Sequence, residues 1–150
     1  MKKWWASRSE GESPYNAQVG EELGQIEYEV TRTVIEEYAD IADDHDPWFL
    51  KQSPFGGPIA HPTIGANDYS HLLTTKYSSS GVVHVKAAHE FLNPIKPGKT
   101  YTVKAKVVDR YTRRGRDYLT VETVTTDEDG LEIVRSRNTW LLSMERKEQK

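Results

Sequence analysis

The chain has 150 residues, 36% of them hydrophobic and 29% charged, which is the composition of one soluble globular domain. Its formal net charge of −3 excludes electrostatic attraction to nucleic acid or to an anionic membrane surface. The absence of cysteine excludes disulfides, thiolate metal sites and a cysteine nucleophile. The N-terminal residues contain no long apolar run, so we expect no signal peptide, no membrane span and a cytoplasmic location.

The composition along the chain predicts one domain over residues 15–145. A flexible arm over residues 1–14, rich in Ser, Gly, Glu and Pro, precedes it, and a charged tail over residues 146–150 follows it. No internal repeat is apparent, so a single hydrophobic core is expected.

The first half of the domain changes its hydrophobic period. Alternation over residues 26–30 predicts a strand, and a capping box at Thr33 predicts a short helix that runs to about Asp43. Residues 45–62 hold four prolines and two adjacent glycines, which indicates an irregular connection of a length that is usually functional. A longer helix is predicted over residues 62–77, with Pro62 at its first position.

The second half reads as strands. Apolar and polar residues alternate over 83–91, 101–107, 119–123 and 131–143, with turn sequences such as "TRRGR" and "DEDG" between them. Successive hairpins predict an antiparallel sheet, and the helix over 62–77 is the only long element available to cover one face. The fold class is therefore α+β, with an antiparallel sheet around one long helix.

An acidic stretch, "ADIADDHDPWFL", follows the short helix. It places Asp40, Asp43, Asp44 and Asp46 around His45. Turn chemistry accounts for such residues, but acids at the negative end of a helix dipole break a local rule, as functional sites often do. A calcium site is a further alternative, although the glycine and closing glutamate of an EF-hand loop are absent.

The order of elements resembles the hotdog fold, and within it the MaoC-like enoyl-thioester hydratases and dehydratases. Three segments carry the resemblance in the expected order: "YADIADDHDPWF", "FGGPIAHPTIGA" and "EFLNPIKPGKTYTVKAKVVDRYTRRGRDYLTVETVTTDEDG". The last segment is similar to the subgroup described as FAS1-like or N-terminal MaoC dehydratase domains. The family adds water to a trans-2-enoyl thioester of coenzyme A or acyl carrier protein, or runs the reverse reaction, without a separate cofactor.

The resemblance implies which residues carry the chemistry. Asp44 takes the position of the catalytic aspartate, Asp46 that of the family's asparagine, and His61 that of the histidine before the central helix. Two positions depart from the pattern. Phe49 stands where the family has its catalytic histidine, and Pro62, which has no N–H, stands where the family has a glycine.

Proton transfer and carbonyl binding then fall to other groups. His61 is either a helix cap or the proton partner of Asp44, and His45 is an alternative base that a loop position also explains as solvated. The amides of Thr63, Ile64 and Gly65, at the predicted helix start, are candidates to polarise the thioester carbonyl.

Two further groups are candidates for substrate binding. Trp48 and Phe49 either line an acyl tunnel or close the core. Arg113 and Arg114 form either a solvated hairpin or a site for the phosphates of coenzyme A.

Three functions remain open from the sequence. The first is a hydro-lyase that interconverts trans-2-enoyl and 3-hydroxyacyl thioesters. The second is a non-catalytic acyl-binding hotdog subunit of a heteromeric dehydratase, and the third is an acyl-thioesterase. The resemblance implies a homodimer or a heterodimer with another hotdog chain, no bound metal, and no nucleic-acid or membrane partner.

Overall fold

The framework of the protein is one five-stranded antiparallel sheet, seen in a computed structural model that describes residues 11–142. Its strands are β1 (Glu22–Val30), β2 (Val83–Phe91), β3 (Lys99–Arg113), β4 (Arg116–Asp127) and β5 (Glu132–Leu142). Their spatial order is β1-β3-β4-β5-β2, so β1 and β2 form the two edges. The strands predicted from alternation are all present, and tight turns join β3 to β4 and β4 to β5 as the turn sequences indicated.

The two predicted termini fall mostly outside the described residues. The tail over 146–150 lies beyond them entirely, and only residues 11–14 of the arm lie within them. These four residues contact the domain: the Glu12 amide donates to the Lys76 carbonyl, and the Glu12 carbonyl accepts from Ser78. Pro14 is buried.

Three helices lie between β1 and β2: α1 (Arg32–Ile41), α2 (Pro47–Leu50) and α3 (Asp68–Thr74). The N-cap of α1 is Thr31, whose hydroxyl accepts from the Val34 amide, rather than the predicted Thr33. None of the helices found between residues 11 and 142 has both the length and the apolar character that crossing a bilayer requires.

The predicted helix over residues 62–77 is wrong in its extent, because α3 begins only at Asp68. Residues 61–68 instead form three successive turns in which an amide bonds to the carbonyl three residues earlier. These bonds join Ile64 to His61, Ala66 to Thr63, and Asp68 to Gly65. Gly65 also lowers the helix propensity of this segment.

The short helix still covers the sheet as predicted. Tyr69, Leu72 and Leu73 of α3 pack on a continuous apolar surface formed by β3, β4 and β5. Its members are Val103, Ala105, Val107, Leu119, Val121, Trp140 and Leu142. A second cluster, centred on Ile35, Ala60 and Tyr101, lies under α1 and the irregular connection. This second cluster anchors the segment that carries the candidate site.

A partly buried polar pair joins β1 to α3. The Tyr28 hydroxyl donates to Asp68 Oδ2 over 2.9 Å, and burial raises the pKa of the Asp68 carboxyl, against the smaller lowering effect of that hydrogen bond. A Cβ at Gly65 would lie only 2.7 Å from Asp68 Oδ2 and 3.1 Å from the Tyr28 hydroxyl. The missing side chain of Gly65 therefore leaves the space in which the pair forms.

We expect Asp68→Asn to stabilise the protein at pH 7. The amide oxygen still accepts from Tyr28, but no charge is buried. Because the folded pKa of Asp68 is raised, stability is lost as pH rises above the ordinary carboxyl value of about 3.9 and is fully present below it. Thermal unfolding should therefore show a higher Tm for the variant at pH 7 and a difference that disappears towards pH 4. The exposed Asp109→Asn is the control, and an Asp68→Asn variant less stable at pH 7 would contradict the prediction.

Candidate active site

The acidic stretch begins with a Schellman motif that ends α1. Asp43 has a left-handed backbone, with φ of 50°, and its amide bonds to the Asp40 carbonyl. The next amide, of Asp44, bonds to the Ala39 carbonyl over 3.0 Å. Asp43 therefore forms the turn that ends α1, and this turn fixes the backbone of Asp44 directly after the helix.

Asp46 begins the next helix. Its carboxylate accepts from the Trp48 amide over 2.8 Å, and Pro47 occupies the first position of α2. The Asp46 amide also donates to Asp44 Oδ1 over 3.3 Å. One oxygen of Asp44 is therefore held by the backbone while the other, Oδ2, faces the connection that follows.

His45 points to a different surface. Its Nε2 lies 2.7 Å from Asp40 Oδ1, its Nδ1 lies 3.9 Å from Asp43 Oδ1, and half of its side chain is exposed. This arrangement places an imidazole beside the acids at the negative end of α1, where a cation is favourable. Within residues 11–142, the His45 side chain forms its hydrogen bond and ion pairs with Asp40 and Asp43, and none with the side chain of Asp44 or His61.

Two backbone hydrogen bonds in the irregular connection fix the position of the backbone just before His61. The Ile59 amide donates to the Trp48 carbonyl over 2.9 Å, and the Ala60 amide donates to the Ile95 carbonyl over 2.8 Å. The following residue, His61, then places its Nε2 3.3 Å from Asp44 Oδ2. The His61 side chain is 19% exposed and that of Asp44 44%, so the pair is sheltered yet open to a substrate from one side.

The neighbours of His61 fix its tautomer. The Thr63 amide donates to His61 Nδ1 over 3.3 Å, and the Thr63 hydroxyl lies 2.8 Å from the same nitrogen. Because an amide N–H can only donate, Nδ1 accepts, and the proton of the neutral ring is on Nε2, towards Asp44. Tyr38 extends this series of hydrogen bonds, because its hydroxyl lies 2.9 Å from Thr63 Oγ1.

Two aromatic rings flank the imidazole. The Phe49 and Tyr38 ring centroids lie 5.1 Å and 5.5 Å from that of His61. Phe49 also lines a cavity of about 690 Å³, together with Trp48 of the same helix. Trp48 and Phe49, for which the sequence left open an acyl tunnel or closure of the core, are therefore both at this cavity, next to the Asp44–His61 pair.

The three candidate amides differ in what they already bind. The Thr63 N–H is bonded to the His61 ring, and the Ile64 N–H to the His61 carbonyl. The Gly65 N–H is the one of the three with no bonded partner among residues 11–142. None of the three is at an α-helix N-terminus, because α3 starts at Asp68.

The two arginines lie far from the pair. Arg113 and Arg114 are at the turn between β3 and β4, whereas Tyr101, near the start of β3, lines the cavity. At about 3.3 Å per residue, twelve residues of strand separate them by roughly 40 Å. Within one chain the structure does not bring the arginines to the candidate site.

Sequence reasoning missed the supporting roles of Tyr38 and of the Thr63 side chain. The spacing of 25 residues between Tyr38 and Thr63 gives no local signal. A metal site is not formed by the acidic stretch: in the part of the chain that the structure describes, no three His, Asp or Glu side chains are placed to hold a metal ion.

The architecture recurs in solved structures of low sequence identity. The unliganded R-hydratase PhaJ1 of Pseudomonas aeruginosa has a TM-score of 0.72 at 17% identity, over 87% of this chain and 85% of that one. The ChsH1-ChsH2 complex of Mycobacterium tuberculosis contains a chain with a TM-score of 0.68 at 14% identity, over 83% of this chain and 98% of that one. The fold is the hotdog fold expected from the sequence.

Sequence comparison agrees with the fold. A protein of Methylorubrum extorquens named 3-hydroxybutyryl-CoA dehydratase is 27% identical, over 73% of this chain and 75% of that protein. The sequence model of the MaoC like domain matches residues 15–129, well over half of the chain. The chain therefore belongs to the family of MaoC-like domains.

Proposed function

We propose that the protein is a hydro-lyase that interconverts trans-2-enoyl and 3-hydroxyacyl thioesters. The observation that carries the proposal is the approach of His61 Nε2 to Asp44 Oδ2, 3.3 Å apart beside an apolar cavity. The name of the Methylorubrum extorquens relative, a 3-hydroxybutyryl-CoA dehydratase, supports the same reaction class.

Asp44 is the group that moves protons in this mechanism. Its carboxylate takes a proton from water as the oxygen adds to C3 of the enoyl thioester. The electron pair of the double bond passes through C2 to the thioester oxygen, giving an enolate. The same carboxyl group then returns its proton to C2, so that one acid–base residue completes the addition of water.

His61 orients the reacting groups rather than carrying the proton. With Nδ1 accepting from Thr63, the neutral ring offers an N–H at Nε2 and no free lone pair towards Asp44. Loss of that proton would leave an imidazolate anion, so Nε2–H acts as a hydrogen-bond donor to Asp44 or to the attacking water. His61 therefore has a role as a hydrogen-bond donor in this mechanism, although Phe49 stands where the family has its catalytic histidine.

The Gly65 amide is the best placed of the three candidates to bind the thioester oxygen. It is unpaired within residues 11–142, and Gly65 lines a small cavity with Thr63 and Pro62. A donor aimed at the developing enolate charge stabilises the transition state more than the substrate.

The exposed edge of the sheet supports pairing with another hotdog chain. Eight of the nine residues of β2 are exposed, including Val83 and Val85, and among residues 11–142 only β5 pairs with the strand. Unpaired edges with apolar side chains favour the addition of a further strand. We propose a dimer through β2, either of two identical chains or of this chain with a second hotdog subunit.

A second candidate function follows from Phe49. A chain that lacks the family's catalytic histidine could hold the acyl group while a partner supplies the chemistry, and the ChsH1-ChsH2 complex, to which this chain is similar in fold, is named for two different components. The purified chain alone decides between the candidates: hydration of enoyl-CoA by a homodimer excludes an obligate catalytic partner.

Asp44→Asn should lower kcat for hydration of enoyl-CoA by at least about 10²-fold to 10⁴-fold, the usual contribution of a general acid–base group. Loss of the conjugated enoyl absorbance measures the rate. Asp43→Asn is a matched control, because asparagine tolerates a positive φ and the Asp43 side chain is almost fully exposed. Unchanged turnover in Asp44→Asn would exclude this residue as the base.

His61→Gln should keep much more activity than His61→Ala. Glutamine offers an N–H towards Asp44 and an oxygen towards Thr63, so it can keep the approach to Asp44 and the hydrogen bond from Thr63 without being able to titrate. If His61 instead carries the proton, both variants should be equally inactive in the same assay.

Val85→Lys should weaken the proposed dimer, because it places two like charges near each other across the strand pair. Sedimentation of the wild-type chain should give a dimer, and that of the variant a larger share of monomer. Val19→Lys, at an exposed residue remote from β2, is the control. A wild-type chain that is monomeric at all concentrations would refute the dimer.

A further inference from the structure

Exposed apolar side chains concentrate around the cavity beside α2. Ten large hydrophobic residues are exposed among residues 11–142, and five of them line this cavity. The five are Trp48, Phe55, Phe91, Leu92 and Leu131. Soluble proteins rarely group exposed apolar side chains in this way without a ligand or partner.

The cavity lies next to the Asp44–His61 pair, although neither of these two residues lines it. Ala60 and Pro62, the two neighbours of His61 in the chain, both line it. Phe49 lies between the two spaces, since its ring contacts the His61 ring at a centroid distance of 5.1 Å and also forms part of the cavity wall. Phe49 therefore separates the pair from the cavity, and an acyl group bound at the pair would have to pass over the Phe49 ring to enter the cavity.

Three of the polar side chains at the cavity, Lys99, Asp127 and Asn93, are already engaged. The Lys99 ammonium lies 3.0 Å from Asp127 and 3.1 Å from Asp129, and the Asn93 amide donates to the Glu132 carbonyl over 2.7 Å. The lysine hydrogen bond holds the pKa of Asp127 below its ordinary value, so the carboxylate is ionised and paired. Apart from Lys96, the remaining side chains of the wall are aromatic or aliphatic, which suits an uncharged group.

The volume sets the size of that group. At about 30 Å³ for each non-hydrogen atom, the share of a water molecule in the liquid, a cavity of about 690 Å³ has room for roughly 20 such atoms. A four-carbon acyl group has a single carbon beyond the reacting double bond and would leave most of this space empty.

We propose that the cavity binds the distal part of a long or bulky uncharged acyl group, and that Trp48, Phe49 and Phe55 select for it. This inference rests on the proposed thioester function and names its substrate class. Trp48 and Phe55 pack edge to face at a centroid distance of 6.1 Å, which forms one wall of the cavity from two half-exposed rings. Phe49, in the place of the family's histidine, extends the apolar surface up to the reacting pair.

Binding of saturated thioesters tests the inference without any chemistry. Calorimetry should give a Kd for octanoyl-CoA at least tenfold below that for butanoyl-CoA, because each methylene that is fully buried strengthens binding by about threefold to fourfold. Equal Kd values, or no binding of either thioester, would overturn it. A second copy of the chain that fills the cavity would produce the equal values.

Variants of the cavity wall test which residues cause the preference for the longer thioester. Trp48→Ala and Phe55→Ala, whose rings are half exposed and whose loss should leave the fold intact, are expected to reduce the ratio of the two Kd values by about threefold or more. Val19→Ala, at an exposed residue away from the cavity, should leave the ratio unchanged. An unchanged ratio in both wall variants would overturn the assignment.

Turnover separates this inference from the proposed function. Hydration of crotonyl-CoA with equal binding of short and long thioesters supports the hydro-lyase and refutes the acyl selectivity. Tight binding of octanoyl-CoA by a homodimer that hydrates no enoyl thioester refutes the hydro-lyase and leaves the selectivity standing.

Discussion

Two backbone hydrogen bonds hold the irregular connection between α2 and α3 against the domain, and the candidate site depends on them. The bond from Ile59 to the Trp48 carbonyl joins the connection to α2, and the bond from Ala60 to the Ile95 carbonyl joins it to the segment before β3. His61 follows directly. Without these bonds the prolines and glycines of the connection would leave the imidazole without a fixed position, because such loops are stabilised by few local interactions.

The acidic stretch divides its four carboxylates among separate tasks. Asp40 contacts His45, Asp43 adopts the left-handed turn, and Asp46 caps α2. Asp44 alone faces His61. Most of the acidic cluster therefore serves to end α1 and to start α2 within five residues. The change of chain direction between the two helices places the Asp44 carboxylate next to His61.

The strands and hairpins could be predicted from the sequence because their signals are local. Alternation marks the buried face, and the turn residues lie between the strands. The start of α3 could not, because residues 61–68 form successive turns in which the amides of Ile64, Ala66 and Asp68 bond to carbonyls three residues earlier, and the sequence signals for a helix start do not distinguish such turns from an α-helix. The positions of Asp44 and His61 came from the family resemblance, since a spacing of 17 residues across a proline-rich segment has no periodic signature. The contact of Tyr38 with Thr63 has none either.

Gly65 shows how a structural constraint can make a position as intolerant of substitution as a catalytic residue. Its backbone is unexceptional, but any side chain there would displace the carboxylate of Asp68 from Tyr28, leaving a buried acceptor without its donor at a cost of about 1–3 kcal/mol. In a saturation mutational scan scored by survival, position 65 should tolerate substitution as poorly as Asp44. Because a substitution other than proline keeps the backbone amide of residue 65, intolerance there would report the space needed by a partly buried tyrosine–aspartate pair, and only assays that separate protein abundance from turnover would distinguish the two positions.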